Sequence, residues 1–401
     1  MQYIITGGGF TNKGAEAMTL ITIDRIRRKD PNAIIYITGS VKACDIEACS
    51  LKKFTISSDI QEYLIKPTVA LWIKITGKYI AKVILNREKT TIKAVRDILN
   101  ATDYVIDISG FSVSSKFMES KTVAFLDWIR LVEKFAIKTV LMPQSFGPFD
   151  YEDKTLPDRI QNVLRKCHVI YAREENGYQL LKSMGLNNVE KAYDMVLAQR
   201  DIEYDRIFVK KQEESFVIET QRKSVGIIPN TKILEKTKIP RDLFFALYEK
   251  VINSLFVDGY DVFLIPHAVE DIALCKQIAE KSNIENVYVV DRVMCSYEYQ
   301  ENVQKLDFVI ASRYHSIVHA YKAGVPAVIL GWADKYQELA MALGQEKFVF
   351  DSDEKLDITQ ILEATKRMGN TLQEQRNSII SHLQDIQKND YFSFLDEHNG
   401  T

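Results

Sequence analysis

Residues 307–330 read DFVIASRYHSIVHAYKAGVPAVIL: a short apolar run, a polar turn, a helical stretch and a second apolar run. Phe308-Val309-Ile310 is continuous rather than alternating, as in a strand buried on both faces. Ser312-Arg313-Tyr314-His315 follows it, and the run from Ser316 to Ala323 reads as a helix that stops at Gly324, before Val325-Pro326. The same alternation recurs on both sides. Apolar, β-branched runs lie at 3–6, 34–38, 104–108, 139–142 and 169–171, then at 224–228, 261–265, 287–290 and 327–330. Strands alternating with helices predict parallel sheets covered on both faces. The pattern breaks over the charged, weakly periodic residues 199–223. The expected fold is therefore α/β, with two doubly wound Rossmann-like domains at 1–198 and 224–401, the second ending in C-terminal helices. A linker at 199–223 would join them, and a helical insertion would occupy about 60–100.

The bulk properties narrow the function. A chain of 401 residues with 46% hydrophobic and 26% charged residues is long enough for two cores. The 52 basic and 54 acidic side chains leave a net charge of −2, which excludes the basic excess of a general nucleic-acid binder. An anionic ligand must be held by a few placed cations. The five cysteines are scattered without C-x-x-C spacing, so neither a disulfide framework nor a zinc ribbon is indicated. No apolar run approaches the length of a membrane span, and MQYIITGGGF lacks a charged signal region. The expected location is cytoplasmic.

In doubly wound sheets ligands bind beyond the carboxyl ends of the strands. The residues there are Gly7 to Glu16, Ser109-Gly110-Phe111-Ser112, Pro143-Gln144-Ser145-Phe146, Ala172-Arg173-Glu174, Pro266-His267 and Ser312 to Ser316. Gly9 and Gly14 have phosphate-loop spacing, but Ala15-Glu16 stands where Lys and Ser or Thr would hold the phosphates. The glycine loop thus presents Asn12 and Glu16 to a neutral, hydroxyl-rich acceptor, or merely permits a tight turn. Arg313 and His315 sit at a helix start, where backbone N–H groups favour an anion. There an arginine can grip a carboxylate or phosphate, and a histidine can donate a proton. His315 and His319 have the i, i+4 spacing of a metal site, but the intervening residues lack the Glu of H-E-x-x-H, and no third ligand is evident. No metal is expected. His267 would orient the donor or cap a loop.

These blocks resemble the polysaccharide pyruvyl transferase family. The carriers are Gly9-x-x-Asn12-x-Gly14-x-Glu16-Ala17, Pro143 to Phe149, Ala172-Arg173-Glu174 followed by Gly185 and Asp194, and Ser312 to Ser316 followed by Ala323 to Pro326 and Lys335. The resemblance implies a fold like two-domain GT-B glycosyltransferases, with phosphoenolpyruvate in the cleft between domains and no cofactor. It implies donor-site roles for Arg173, Arg313, His315 and Lys335, with His267 added as a further donor-side residue. Gly9, Asn12, Glu16, Ser112, Gln144 and Ser145 would face the sugar acceptor. Ser109 to Ser112 stands where many members carry glycines, and Ala15 where Asp is common, so acceptor identity is left open.

The expected chemistry is addition of two sugar hydroxyls to the enolpyruvyl carbon, closing a cyclic ketal in capsule, exopolysaccharide or cell-wall polymer synthesis. His315 would be the general acid, Arg313 an electrostatic partner, and Glu16 or Asp107 the base. Lys74, Lys78 and Lys82 share one helix face in an apolar stretch, which suggests peripheral contact with the inner membrane and a lipid-linked acceptor. Two rivals stand beside this reading. A GT-B-type glycosyltransferase would need a nucleotide-sugar site, and a non-catalytic sugar- or phosphate-binding relative would show no turnover.

Overall fold

The computed structural model describes residues 1–71, 74, 92–209 and 217–397. Two parallel sheets carry these residues. The first holds β1 (Gln2–Thr6), β2 (Ile34–Ile37), β3 (Lys52–Lys53), β4 (Tyr104–Asp107), β5 (Phe111–Val113), β6 (Lys138–Phe146), β7 (Val169–Ala172) and β8 (Val189–Lys191). Its order is β3-β2-β1-β4-β6-β7-β8, with β5 paired to β6. The second holds β9 (Ser224–Ile228), β10 (Asp261–Leu264), β11 (Val287–Val289), β12 (Phe308–Ala311), β13 (Ala327–Gly331) and β14 (Val349–Asp351), ordered β11-β10-β9-β12-β13-β14. The fold is α/β and doubly wound twice over. In each sheet the order reverses beside its first strand, between β1 and β4 and between β9 and β12. The crossovers leave in opposite directions there, and a crevice opens at the strands' carboxyl ends.

The four strands flanking these reversals are buried at every residue, which is why they read as unbroken apolar runs. The minor strands did not declare themselves. β3 is two exposed lysines, and β5 is three residues laid against β6, Phe111 and Ser112 half-buried and Val113 buried. β6 is also longer than expected, so Gln144 and Ser145 lie within the strand and not in the loop after it.

In the region expected as an insertion, helices Ser58–Ile65 and Ile92–Asn100 bury Ile60, Leu64, Val95 and Leu99 in a cluster with Leu131 and Val132. Lys74 pairs with Asp59 at 3.3 Å, while Lys78 and Lys82 lie outside the described residues. No helix among the described residues is long and apolar enough to cross a membrane.

The stretch expected as a linker contains the helix Tyr204–Ile207, fixed to the first half of the chain. Arg206 donates to the buried Asp24 at 2.8 Å, and Arg27 donates to the carbonyls of Arg206 and Ile207. The end of the chain also departs from the expected grouping. After helix Leu372–Ile386, the segment 390–397 returns to the first sheet. Tyr104 donates to the Phe394 carbonyl at 3.0 Å, the Tyr193 amide donates to the Tyr391 hydroxyl at 2.7 Å, and Arg25 holds Asp390 at 2.6 Å. One hydrophobic cluster runs from Ile5 and Ile106 through Ile317 and Ile329 to Phe394, so the two sheets share a core.

Candidate active site

The sheets meet where two helix starts face each other. Helix Lys13–Lys29 follows β1 and helix Tyr314–Lys322 follows β12. A Cβ on Gly14 would lie 2.2 Å from His315 Nδ1, so only a glycine admits the imidazole at this distance. Asn12 caps its helix, accepting from the Gly14 and Ala15 amides, whereas no side chain caps helix Tyr314–Lys322. Two clamps tie the halves together. Lys13 Nζ donates to the carbonyls of Pro266 (3.2 Å) and His267 (2.7 Å), and Glu16 Oε2 accepts from the Ser296 amide at 2.8 Å. Burial raises the Glu16 pKa to about 7 and lowers that of Lys13 to about 8.

Around His315 lies a set of charged groups drawn from both halves. Arg173, after β7, donates to Glu174 Oε1 (2.7 Å), Asp194 Oδ2 (3.1 Å) and Ser145 Oγ (2.8 Å), with its guanidinium 4.8 Å from the centre of the Tyr314 ring. Lys335 approaches the same ring from helix Asp334–Met341, at 5.0 Å, and stands 5.7 Å from Trp332 and from Tyr336. Burial, and then Arg173, lower its pKa to about 8. His315 Nε2 is 3.9 Å from Asp194 Oδ2, beyond hydrogen-bond range, and has no hydrogen-bond partner among the described residues. Burial brings the His315 pKa down to about 4. Asp194 opposes the drop, and Arg173 and Lys335 add to it. The imidazole is therefore neutral at pH 7.

Arg313 is engaged elsewhere. Its Nε and Nη2 grip the fully buried Asp271 at 2.9 and 2.6 Å, and Nη2 also reaches Glu270 at 3.1 Å. His267 packs its ring edge-on against Tyr299, and burial pushes its pKa well below the usual range. His319 lies one turn further along the helix and pairs with Gln300 at 2.7 Å; no metal-binding cluster occurs among the described residues. Gly9 donates its amide to Thr19 at 3.1 Å, Gln144 donates to Asp107 at 3.2 Å, Ser145 donates to Glu174 at 2.9 Å, and Ser112 lies on β5. The structure thus gathers Arg173, His315, Lys335 and Ser145 at one point. Glu16, Arg313 and His267 lie in the adjoining interface between the halves.

A family model for polysaccharide pyruvyl transferases matches residues 12–334. The chain belongs to that family. As a polysaccharide pyruvyl transferase it is an enzyme of the transferase class, and every charged group around His315 falls inside the matched range or, for Lys335, one residue beyond it. No curated protein matches the sequence. Solved structures match over nearly the whole length. They include a UDP-GlcNAc 2-epimerase from Neisseria meningitidis bound to UDP-GlcNAc (TM-score 0.58, 10% identity, 99% of both chains). Another is the UDP-GlcNAc 2-epimerase of Methanocaldococcus jannaschii (TM-score 0.53, 13% identity, 91% of this chain and 92% of that one). A spinosyn rhamnosyltransferase matches at TM-score 0.51 with 12% identity over 100% of both chains. At such identities the likeness is one of fold, the two-domain Rossmann-like architecture of GT-B enzymes.

Sequence reasoning did not assign roles to Asp194, Glu174 or Tyr314, although they frame Arg173 and His315. Asp194 stands 21 residues from the arginine it holds, and no local spacing signals such a pair.

Proposed function

We propose that this pyruvyl transferase takes the pyruvyl group from phosphoenolpyruvate and closes it as a cyclic ketal on two hydroxyls of one sugar in a surface-polysaccharide precursor. The observation that carries this reading is the placement of His315 at an uncapped helix start, close to two cations, Arg173 and Lys335, that both stand over the ring of the adjacent Tyr314. Phosphoenolpyruvate is a small polyanion. Lys335, whose partners among the described residues are aromatic rings, has its N–H groups to offer, and the helix start adds backbone donors. Arg173 has two of its five N–H bonds uncommitted. Arg313, braced on Asp271, fixes the turn that aims His315, and His267 supports the other side through Lys13.

The donor's charge sets up the acid. An anion against Arg173 and Lys335 cancels the two positive charges that help keep the imidazole neutral, so donor binding and His315 protonation are linked. His315 then protonates the methylene carbon, and the oxocarbenium character that develops beside the phosphate is met by a sugar hydroxyl. Phosphate leaves toward the cations. The reaction requires neither cofactor nor nucleic acid. The sugar is carried on a lipid at the cytoplasmic face of the membrane, met by Lys74, Lys78 and Lys82. Equal vesicle co-sedimentation of wild type and the triple change to Glu would remove that last element.

The test is thermal stabilisation by phosphoenolpyruvate against UDP- and GDP-sugars. Phosphoenolpyruvate alone is expected to stabilise wild type, with the effect lost in Lys335→Ala. His315→Gln is expected to keep binding while transfer drops by about 10²–10⁴-fold. Stabilisation by a nucleotide-sugar instead would make the protein a glycosyltransferase, which the fold also permits.

A further inference from the structure

The reaction needs a place for the sugar and a base for its hydroxyls, and Glu16 is poorly placed to serve because its carboxylate is committed to the Ser296 amide. A cavity of about 600 Å³ opens elsewhere, at the carboxyl ends of β1 to β4, beside the reversal point of the first sheet. Its size falls within the usual range for small-molecule sites. Hydroxyls line it from Thr6, Thr38 and Ser109, and Phe125 and Trp128 wall it from helix Glu119–Lys134. The Trp128 indole N–H is buried and has no hydrogen-bond partner among the described residues. The cation lining the cavity, Lys53, is exposed at the rim.

At the floor lies Asp107, 2% exposed and with no cation partnered to it among the described residues. Its Oδ2 accepts from Thr6 Oγ1 (2.7 Å) and Ser109 Oγ (2.9 Å). Its Oδ1 accepts from Gln144 Nε2 (3.2 Å) and the Ser109 amide (3.3 Å). A hydroxyl has one proton to give. Thr6 and Ser109 have both given theirs to Asp107, so toward the cavity each can only accept. Such a floor suits a ligand that donates hydroxyl protons, and the buried carboxylate beneath it disfavours an anion. This is the opposite preference to that of Arg173 and Lys335. The two places are nonetheless neighbours. Gln144 touches Asp107 and the next residue, Ser145, touches Arg173. β4 and β7 are two strand positions apart, which puts the two ends about 10 Å from each other.

We propose that this cavity holds the acceptor as a neutral pyranose, its apolar face on Trp128 and Phe125 and its hydroxyls donating to Thr6 and Ser109, and that Ser109 passes one hydroxyl proton to Asp107. The proposal rests on the pyruvyl-transfer reading of the donor site. As a sugar oxygen bonds to the enolpyruvyl carbon, its proton moves to Ser109 Oγ while the Ser109 proton moves to Asp107. The methylene carbon gains one proton from His315. When the second hydroxyl adds and the carbon–oxygen bond to phosphate breaks, the remaining hydroxyl proton leaves with phosphate. One phosphoenolpyruvate and one diol thus become one ketal and one hydrogen phosphate. Asp107 returns its proton to His315 through solvent between turnovers. Burial also raises the Asp107 pKa, in the direction a proton acceptor requires.

Saturation-transfer NMR on the full chain with methyl pyranosides of galactose, glucose, mannose and N-acetylglucosamine tests the site. At least one is expected to bind wild type, to weaken about tenfold in Trp128→Ala, and to be lost in Ser40→Trp, which fills the mouth from an exposed position. Phosphoenolpyruvate stabilisation is expected to be unchanged in both variants. If it is absent in wild type, the donor reading has failed instead. With any bound pyranoside as acceptor, Ser109→Ala should lower kcat about 10²-fold or more at unchanged KM for phosphoenolpyruvate. Pyranoside binding that survives both cavity variants, binding by none of the four, or full turnover in Ser109→Ala would each overturn the proposal.

Discussion

His315 is largely enclosed, and its neutral form carries a signature that can be measured without any substrate. Its pKa lies near 4 in the folded protein against an ordinary 6.5, with burial as the main cause. Between those values the unfolded chain binds a proton that the folded chain refuses, so stability is lost as pH falls from about 6.5 to 4. Replacing His315 by Gln removes this term. The variant's Tm should therefore fall less than that of wild type over the same window, and parallel curves would show that the ring is not buried neutral. Gly14 gives a second test. Alanine suits a helix better than glycine by roughly 0.5–1 kcal/mol, yet its Cβ would land 2.2 Å from the imidazole. Gly14→Ala is expected to hold Tm within a few degrees of wild type while cutting transfer about 100-fold by displacing the ring. Unimpaired transfer would refute the contact. Arg173 and His315 stand out in the sequence because each follows a strand end, and Lys335 enters only through the family resemblance. The commitments of Arg313 and Glu16 could not be read there, because Asp271 is 42 residues from the one and Ser296 is 280 from the other.

Helix Lys13–Lys29 serves both halves of the chain, through Lys13 on the loop after β10 and Glu16 on the start of helix Ser296–Val303. The Glu16 clamp has a predictable pH dependence. Burial lifts the carboxyl to about 7 from an ordinary 4.5, so the folded state holds its proton more tightly and stability declines as pH rises through that interval. Glu16→Gln can still accept from the Ser296 amide and lacks the charge. Its Tm at pH 8 should equal or exceed that of wild type, with the decline between pH 4.5 and 7 removed. Transfer should persist, whereas its loss would return Glu16 to the role of base. At this scale the sequence was most legible for the buried central strands, where continuous apolar runs leave no alternative. It was least legible for β3 and β5, which are too short for any periodicity and owe their existence to the strands beside them.

The same fold twice over was foreseeable from the alternation of runs; the sharing of one core was not, because hydrophobic pattern marks a buried face without naming what covers it. Phe394 makes the point. It is 3% exposed, and its ring lies 5.2 Å from that of Tyr104 on the first sheet, 290 positions earlier. Phe394→Ala should cost about 3–5 kcal/mol, as for a core aromatic, read as a lower midpoint in urea at unchanged slope. A loss under 1 kcal/mol would mean that the returning segment is a loose appendage. The closing segment also sets a timetable for synthesis. At about 5–20 residues per second, the ribosome finishes Tyr104 some tens of seconds before Phe394 exists. The first sheet must therefore wait, with one flank uncovered, until Phe394 has emerged. The first sheet is thus completed only after every strand of the second has been made, and a chaperone that shields that flank in the interval would be expected to raise the yield of native enzyme.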